Sequence, residues 1–526
     1  MPGGTGSQLC CAALFFIDSL GHALGELVLC VLILPLLCCL GPWDPYAVSY
    51  FLMNQRLTSF DYSFRAFLHH HVNGGMVLMV VALLAMVIAN SPWAEAYHAF
   101  WNIPVALQLG GFNLFSHHGA PLTLMAFIND ALMAVFFFSV GLEIKREILV
   151  GELSSLRQAL LPIIAALGGM IFPVIFYLGL TFGTPAQAGL AIPMATDIAF
   201  SLGVLSLLGA RVPLTLKIFL TAFAVVDDIG GILIIALCYT AHLQLSSLFV
   251  ACGILLVLVL ANRLRVMSHN FYFLLGIVVW YLFLQSGVHA TIAGVLVAFT
   301  IPSQPGIDTA RYIAHIKNSM REFPGVSDST SAYVVRDAKV TPRKAAAAPA
   351  GTTVLLTPHQ LDLLKTIESA SDHVISPLQS MEDKLHVVVN YVIMPLFAFA
   401  NAGITLTGSS GASVGTVTLA VMLGLVLGKF VGIFLFTFLA VKSGLTALPE
   451  GVSWKQIAGV ALLGGIGFTV ALFIANLSFG ASDPELLNQA KLGILLGTIC
   501  AGILGYVVLR LTLPKDSVQD QDLLVR

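Results

Sequence analysis

The chain has 526 residues, of which 58% are hydrophobic and only 10% charged, and its mean hydropathy is +0.92. Soluble proteins carry charge on roughly 25% of their residues, so this composition excludes a soluble protein and predicts a polytopic membrane protein. The net charge of -2, without any basic tract, excludes a nucleic-acid partner. The eight cysteines follow no disulfide or zinc spacing, and we interpret them as small apolar residues in the membrane.

Residues 1–52 form a hydrophobic N-terminal extension. Its apolar run from 9 to 40 is long enough to span a bilayer, but polar side chains interrupt it and no basic segment marks a signal peptide. We expect one additional helix from about Leu27 to Leu40. A sharper hypothesis is that translation starts at Met53.

Beyond residue 53, hydropathy predicts an all-α polytopic protein with twelve transmembrane helices. The predicted spans lie near 74–91, 121–142, 158–181, 188–209, 214–239, 246–261, 269–284, 287–302, 386–402, 418–441, 456–479 and 488–511. Spans one to eight therefore belong to a region 53–302, and spans nine to twelve to a region 386–511.

Lysine and arginine orient the chain, because cytoplasmic loops are enriched in both. If 53–73 is cytoplasmic, the connections richest in Lys and Arg and the tail 512–526 are cytoplasmic too. Only Lys491 falls on the outer side. The outer connections without Lys or Arg are 92–120, 182–187, 240–245 and 403–417.

The segment 303–385 is the one polar break in the chain and contains VTPRKAAAAPAGTT. We interpret it as a cytoplasmic linker with a flexible centre. Two amphipathic helices are expected in it, near 308–321 and 358–380.

Three aspartates lie in membrane-grade apolar sequence: Asp197, Asp227 and Asp228. An ionisable side chain at the bilayer centre costs roughly 2.5 to 3.5 kcal/mol on insertion scales, and such residues usually mark ion pathways. Neighbours on a helix point about 100° apart, so the adjacent pair shares a site only at a crevice between helices. Two carboxylates so close resist being ionised together, which suits a site where a hard cation such as Na+ competes with protons.

A buried ion pair is the structural alternative for the two adjacent acids. Lys429, in MLGLVLGKFVGIFLF, is the only Lys or Arg in the middle of a predicted span and could neutralise one of them. The second acid would remain unexplained, so we favour a functional role.

Two predicted spans are interrupted. Pro193, in AIPMATDIAF, removes a backbone hydrogen bond and frees helix ends at membrane depth. Asp197 would stabilise the positive ends, and the Thr196 hydroxyl could bind a cation or the backbone. A proline kink with a satisfied polar cap is the alternative. The glycine-rich run 464–469, GGIGFT, indicates a second interruption.

Eight runs of the sequence resemble NhaA-type sodium/proton antiporters and cover essentially residues 68–302 and 386–511. They are FINDALMAVFFFSVGLEIKREIL, AIPMATDIAFSLGVLSLLGARVPLTLKIFL, AVVDDIGGILIIALCYT, SGVHATIAGVLVAFTIP, MPLFAFANAGI, LGKFVGI, GGIGFTVALFIANLSFG and DPELLNQAKLGILLG. The resemblance implies twelve helices in inverted repeats, with spans four and eleven unwound and crossing near the midplane. Paired interrupted spans mark the binding site of inverted-repeat transporters, and this family is itself one of the examples from which that rule was drawn.

Matching the motifs residue by residue, the resemblance implies that Asp228 is the principal carboxylate for cation and protons. Asp227 is then its partner, which together with Asp228 would hold Na+ and which can pair with Lys429. Thr196 and Asp197 would lie at the helix crossing, where Asp197 balances the positive helix ends.

Further family positions have supporting roles. Glu143 and Glu147 match the pH-sensing cluster, although the residues alone favour a solvated helix end with i to i+4 pairing. Asn129 and Asp130 resemble supporting residues near the cytoplasmic funnel. His289 matches a family motif, but we interpret it as structural.

The resemblance implies an electrogenic, pH-regulated antiporter of the bacterial inner membrane, with a cytoplasmic C-terminus. It would export Na+, and Li+, in exchange for a larger number of protons, without a cofactor and not as an enzyme. The resemblance leaves undecided whether the protein forms a homodimer. Neither 1–52 nor 303–385 has a counterpart in compact members of the family. The alternatives are an intramembrane aspartyl protease, which needs one aspartate from each of two helices, and a sodium-coupled symporter or channel.

Overall fold

A computed structural model of the chain describes residues 74–105, 122–239, 243–304, 375–405, 414–480 and 483–514, together with short strands and a few helical residues between these ranges. All of them belong to one compact unit, Asn73–Arg526. The extension 1–52, its expected helix Leu27–Leu40 and the start at Met53 lie outside the described residues. So does the tail from 515 onward.

From Gly74 to Thr300 the described residues are helical apart from one connection that contains short strands. The helices are α1 Gly74–Ala89, α2 Ala94–Trp101, α3 Leu124–Val150 with a π-helical turn at Ile128–Leu132, α4 Leu156–Thr181, α5 Ile198–Ser206, α6 Leu214–Cys238, α7 Leu245–Arg263, α8 His269–Ser286 and α9 Ala290–Thr300. Two 3-10 segments, Pro185–Gly189 and Ile192–Met194, precede α5. Between α2 and α3 five short strands form antiparallel pairs: β1 Pro104–Val105, β2 Gln108–Leu109, β3 Phe112–Asn113, β4 Ser116–His117 and β5 Ala120–Thr123.

The second half begins after three strands in the long connection, β6 Ser331–Arg336, β7 Lys339–Lys344 and β8 Thr353–Leu355, which pair antiparallel in the order β7-β6-β8. Its helices are α10 Pro377–Asn401, α11 Thr416–Lys442, α12 Trp454–Leu463, α13 Phe468–Phe479 and α14 Pro484–Thr512. Helices α10 and α11 contain π-helical turns at Val389–Ile393 and Gly424–Gly428.

Capping chemistry explains where several helices begin. The side chains of Ser155, Ser376 and Asp483 each accept hydrogen bonds from the free backbone N–H groups of the first turn that follows. Pro377 and Pro484 then occupy the first helical position, where a missing N–H costs nothing.

The prediction of an all-α polytopic membrane protein is confirmed. Within the described residues, eight helices are long and apolar enough to cross a membrane, and the count rises to eleven when each of three bent helix pairs is one span. Every predicted span coincides with helical structure, α9 being shorter than a full crossing. The count of twelve spans stays a prediction.

Close backbone approach between α4 and α11 forms one centre of the bundle. A Cβ atom placed on Gly168 or on Gly432 would overlap backbone of the facing helix. Glycine at both positions therefore lets the two helices touch, as small residues do at membrane helix interfaces. Lys429 lies one turn before Gly432, so this contact positions its side chain.

The structure adds detail to the sequence predictions at three places. Helix α3 continues to Val150, eight residues beyond the predicted end of span two, and ends before Gly151. Strands β6 to β8 pair in the predicted flexible centre of 303–385, and α10 already begins at Pro377. Lys491 lies two turns inside α14 and is buried, and its position on the outer side stays a prediction. The two helices expected in the linker fall almost entirely outside the described residues.

Candidate functional site at two broken helices

The chain breaks two of its apolar spans, and the two breaks touch. The 3-10 segments Pro185–Met194 meet α5 at 46°, and α12 meets α13 at 43°. Residues 195–197 and 464–467 connect the halves. The backbone N–H of Asp197 donates to the carbonyl of Ile466 at 2.6 Å, so extended backbone at one break satisfies backbone at the other.

Asp197 joins the halves through its carboxylate. Its Oδ1 accepts from the N–H of Phe200 at 3.0 Å and so caps the N-terminus of α5. Its Oδ2 accepts from both the N–H and the hydroxyl of Thr469, at 3.1 and 2.6 Å, at the N-terminus of α13. One carboxylate thus binds the positive ends of two half-helices.

Thr196, Asp227 and Lys429 form a buried cluster beside this crossing. The Lys429 ammonium lies 2.5 Å from Asp227 Oδ2 and donates to the Thr196 hydroxyl at 2.9 Å. That hydroxyl has one hydrogen of its own, which it can donate to Asp227 Oδ2 at 2.7 Å or to the Gly464 carbonyl at 2.9 Å. The other carboxylate oxygen of Asp227, Oδ1, is buried and has no hydrogen-bond partner among the described residues.

Asp228 faces a different environment from its neighbour. It lines a cavity of about 360 Å³ whose lining runs from the exposed His386, at its mouth, to the buried Thr469, at its floor. Asp197 and Glu143 line the cavity as well. Asp227 does not line this cavity. We call this cavity the funnel. Its further lining residues include Gly74, Phe136, Val140, Thr196, Lys217, Val389, Asn390, Met394 and Val470.

The structure therefore brings together the five residues on which the sequence analysis centred: Asp228, Asp227, Asp197, Thr196 and Lys429. As their angular separation requires, the two adjacent acids diverge. One is ion-paired in the protein interior and the other is open to the funnel.

The acidic cluster on α3 is divided between two environments, which corrects the expectation of a solvated helix end with i to i+4 pairing. Glu143 lines the funnel. Glu147 pairs with Arg146 at 2.9 Å, and Arg146 also reaches Glu382 of α10 at 3.0 Å. Lys145 donates to carbonyls at the end of α9.

Asn129 and Asp130 are not among the residues that line the funnel, and their supporting role near it stays a prediction. They lie in the π-helical turn of α3, on the far side of Phe136 from Glu143, and Asn129 accepts a hydrogen bond from Asn401. His289 contacts the Tyr239 carbonyl through Nε2 at 2.5 Å and precedes α9, which agrees with a structural role.

Sequence reasoning missed several residues of the site. Thr469 was noticed only as a threonine after a break, and Ser201, which donates to the Leu463 carbonyl, was not noticed. His386 and Asn390 line the funnel although they lie at the junction of the predicted linker and span nine. Their only sequence cue is polarity at the start of an apolar run.

Broken helices that meet at buried carboxylates, beside a cavity lined by acidic side chains, define an integral membrane protein of the secondary-transporter type. Comparison with known protein families gives one match: residues 65–509 match the family described as Na+/H+ antiporter 1. The chain belongs to this family.

Individual relatives agree. The chain is 58% identical over 466 residues to a Na+/H+ antiporter NhaA of Phocaeicola vulgatus, covering 88% of this chain and 99% of the relative. Over 451 residues it is 53% identical to a protein of the same name from Bacteroides thetaiotaomicron, covering 86% and 97%. The Helicobacter pylori G27 relative is 45% identical over 437 residues, covering 83% and 92%.

Proposed function

We propose that the protein is an electrogenic Na+/H+ antiporter that also carries Li+ and whose activity rises with pH. It resides in the bacterial inner membrane and exports the cation in exchange for a larger number of entering protons. The observation that carries this proposal is the division of the acid pair, because Asp228 faces the funnel while Asp227 is neutralised by Lys429.

Competition at Asp228 supplies the exchange. A hard cation is bound by carboxylate oxygens and displaces the protons held there, and protons arriving from the other side displace the cation. The free Oδ1 of Asp227 gives that residue an oxygen with which to join the cation. Exchange then needs no coupling device beyond the site itself.

Electrogenic exchange follows if the site exchanges two protons for one Na+. Asp228 carries one of these protons. Asp227 is already ionised in its pair, so the Lys429 ammonium carries the second and releases it when Asp227 turns to the cation. One Na+ leaves and two protons enter, so one net charge crosses inward in each cycle. The membrane potential then contributes about 2.3 kcal/mol per 100 mV to each cycle. Asp227 must leave Lys429 to take part, and the buried lysine then loses its partner, which links the ion pair to the transport cycle.

We place the funnel mouth in the cytoplasm and the C-terminus on the same side. The support is the excess of Lys and Arg in the connections at that end of the bundle, including Lys217 at the funnel itself. Glu143, which lines the same cavity as Asp228, and the ion pairs of Arg146 are candidates for the pH response.

Proteoliposomes containing the full-length protein test the proposal. Addition of Na+ or Li+ should move protons across the membrane, measured by a pH-sensitive dye, and should produce a transient current on a solid-supported membrane. A Na+ current without proton movement in the opposite direction would indicate a channel. Movement of Na+ and protons in the same direction would indicate a symporter. Either result, or the absence of Na+-dependent proton movement, contradicts the proposal.

A further inference from the structure

Three asparagines from three different spans form a hydrogen-bonded chain. Asn401 of α10 donates through Nδ2 to Asn129 Oδ1 of α3 at 2.8 Å, and its own Oδ1 accepts from Asn476 Nδ2 of α13 at 2.9 Å. Asn401 is fully buried. We call Asn129, Asn401 and Asn476 the amide triad.

The amide triad lies beyond the floor of the funnel. On each of its three helices the deepest residue that lines the funnel is Phe136, Met394 or Val470. Each asparagine lies six or seven residues further from the mouth, which is about 10 Å along a helix axis. The three residues are therefore level with one another, on the side of the crossing opposite the mouth.

Phe397 of α10 and Phe473 of α13 lie between the deepest funnel residues of their helices and the amide triad, and Phe137 of α3, next to the funnel residue Phe136, completes a layer of three phenylalanines. Phe473 of α13 contacts Phe137 of α3 and Phe397 of α10, with ring centroids 5.8 and 6.5 Å apart, and all three are buried. A hydrated ion crosses such an apolar layer only if the three helices separate. The phenylalanine layer and the amide triad therefore both close the transport path on the side opposite the funnel mouth.

We propose that the amide triad is the latch that holds the far side of the transport path closed while the funnel is open, with Asn401 as its central positioning residue. This inference rests on the proposed antiport function. Opening the far side requires α3, α10 and α13 to separate from one another, which breaks both interhelical hydrogen bonds of Asn401. The freed amide oxygens of Asn129 and Asn401 then face the widened path, where they can replace water around a passing cation.

The latch is coupled to the candidate site through α13. The N-terminus of this helix binds Asp197 through Thr469, and Asn476 lies two turns further along the same helix. A short helix transmits a displacement at one end to the other, because its backbone hydrogen bonds are all internal. Release of Asn476 therefore also loosens the contact that holds the two breaks together.

Everted and right-side-out membrane vesicles containing the full-length protein test the latch, since each exposes one side to added Na+. Asn401→Ala removes both interhelical bonds, whereas Asn129→Ala and Asn476→Ala remove one each. A net hydrogen-bond contribution shifts an equilibrium by about 2- to 12-fold. We expect the half-saturating Na+ concentration on the far side to fall by about this factor for each bond lost, while that on the funnel side stays constant or rises.

If the amide triad had only a structural role, its loss would raise the half-saturating Na+ concentration on both sides. That result, or an unchanged concentration on the far side, overturns the latch. Thr498→Val is the matched control, because it removes a buried hydroxyl of α14 that has no hydrogen-bond partner among the described residues. It should leave the far-side value unchanged. A far-side shift equal to that of Asn401→Ala would also overturn the proposal.

Hydrogen exchange in reconstituted protein separates this inference from the proposed function. In Asn401→Ala, amides of Phe468–Phe479 should exchange faster while those of Trp454–Leu463 keep their rate. Wild-type vesicles without Na+-dependent proton movement would refute the antiport function, and the exchange pattern would still decide on the latch. An equal increase of the exchange rate in both half-helices, or no increase in either, would contradict the latch.

Discussion

The ammonium of Lys429 lies 2.5 Å from the carboxylate of Asp227, and both side chains are completely shielded from solvent. The next residue, Asp228, instead lines the funnel. A single helical step of about 100° thus separates a neutralised acid from one that an ion can reach. This division is the basis of the predictions for the site.

Lys429→Met should destabilise the protein, because it leaves Asp227 buried without its counter-charge. Breaking a buried ion pair in this way costs about 3 to 5 kcal/mol. Thermal unfolding in detergent measures the loss. The double variant Lys429→Met with Asp227→Asn removes both charges and should recover most of the stability. If the double variant unfolds as easily as the single one, the pair does not act as described.

Thr469→Val should weaken the contact between the two breaks. It removes the hydroxyl that donates to Asp197 but keeps the backbone N–H bond, so we expect a loss of about 1 to 3 kcal/mol. Thr469→Ser keeps the hydroxyl and serves as the control. The readouts are unfolding temperature and half-saturating Na+ concentration. Equal behaviour of the two variants would contradict the role assigned to this bond.

Gly168→Ala should push α4 and α11 apart, since its Cβ would overlap the Gly432 carbonyl. Overpacking of this kind costs about 1 to 3 kcal/mol. On the same helix, Gly179→Ala adds a Cβ with no atom within 4 Å, so it should be neutral or slightly stabilising. Thermal unfolding of the two variants compares a crowded and an open site in one helix. Similar losses at both positions would refute the packing argument.

Competition between cation and protons predicts the pH dependence of binding. Where the site binds protons, the half-saturating Na+ concentration should rise about tenfold per pH unit of acidification for one displaced proton, and about a hundredfold for two. Solid-supported-membrane currents over a pH series and a Na+ series measure this slope. A half-saturating concentration independent of pH would exclude direct competition.

Residues whose burial is expensive were the ones that sequence alone could identify. Asp197, Asp227, Asp228 and Lys429 stand out because charge in an apolar run has a cost that only a partner or a function explains. The structure brings all four to one crossing. Local backbone chemistry was equally informative, since Pro193 and the glycines at 464–467 indicated the two breaks.

What sequence could not supply was the depth of side chains along each helix. The funnel is lined by parts of α1, α3, α5, α6, α10 and α13, and whether Asn129 or Glu143 faces it depends on how these helices are shifted along one another. Hydropathy does not encode that shift. The sequence analysis singled out Asn129 but missed its grouping with Asn401 and Asn476, and it missed the phenylalanine layer, because only packing sets these residues level with one another.

The most direct test of the central claim is proton release on Na+ addition to purified protein, compared between wild type, Asp228→Glu and Asp228→Asn. Wild type should release protons as Na+ binds, Asp228→Glu should do so at a shifted Na+ concentration, and Asp228→Asn should release none. Folding is verified by an unfolding temperature close to that of wild type. Undiminished Na+-dependent proton release by folded Asp228→Asn would contradict the account.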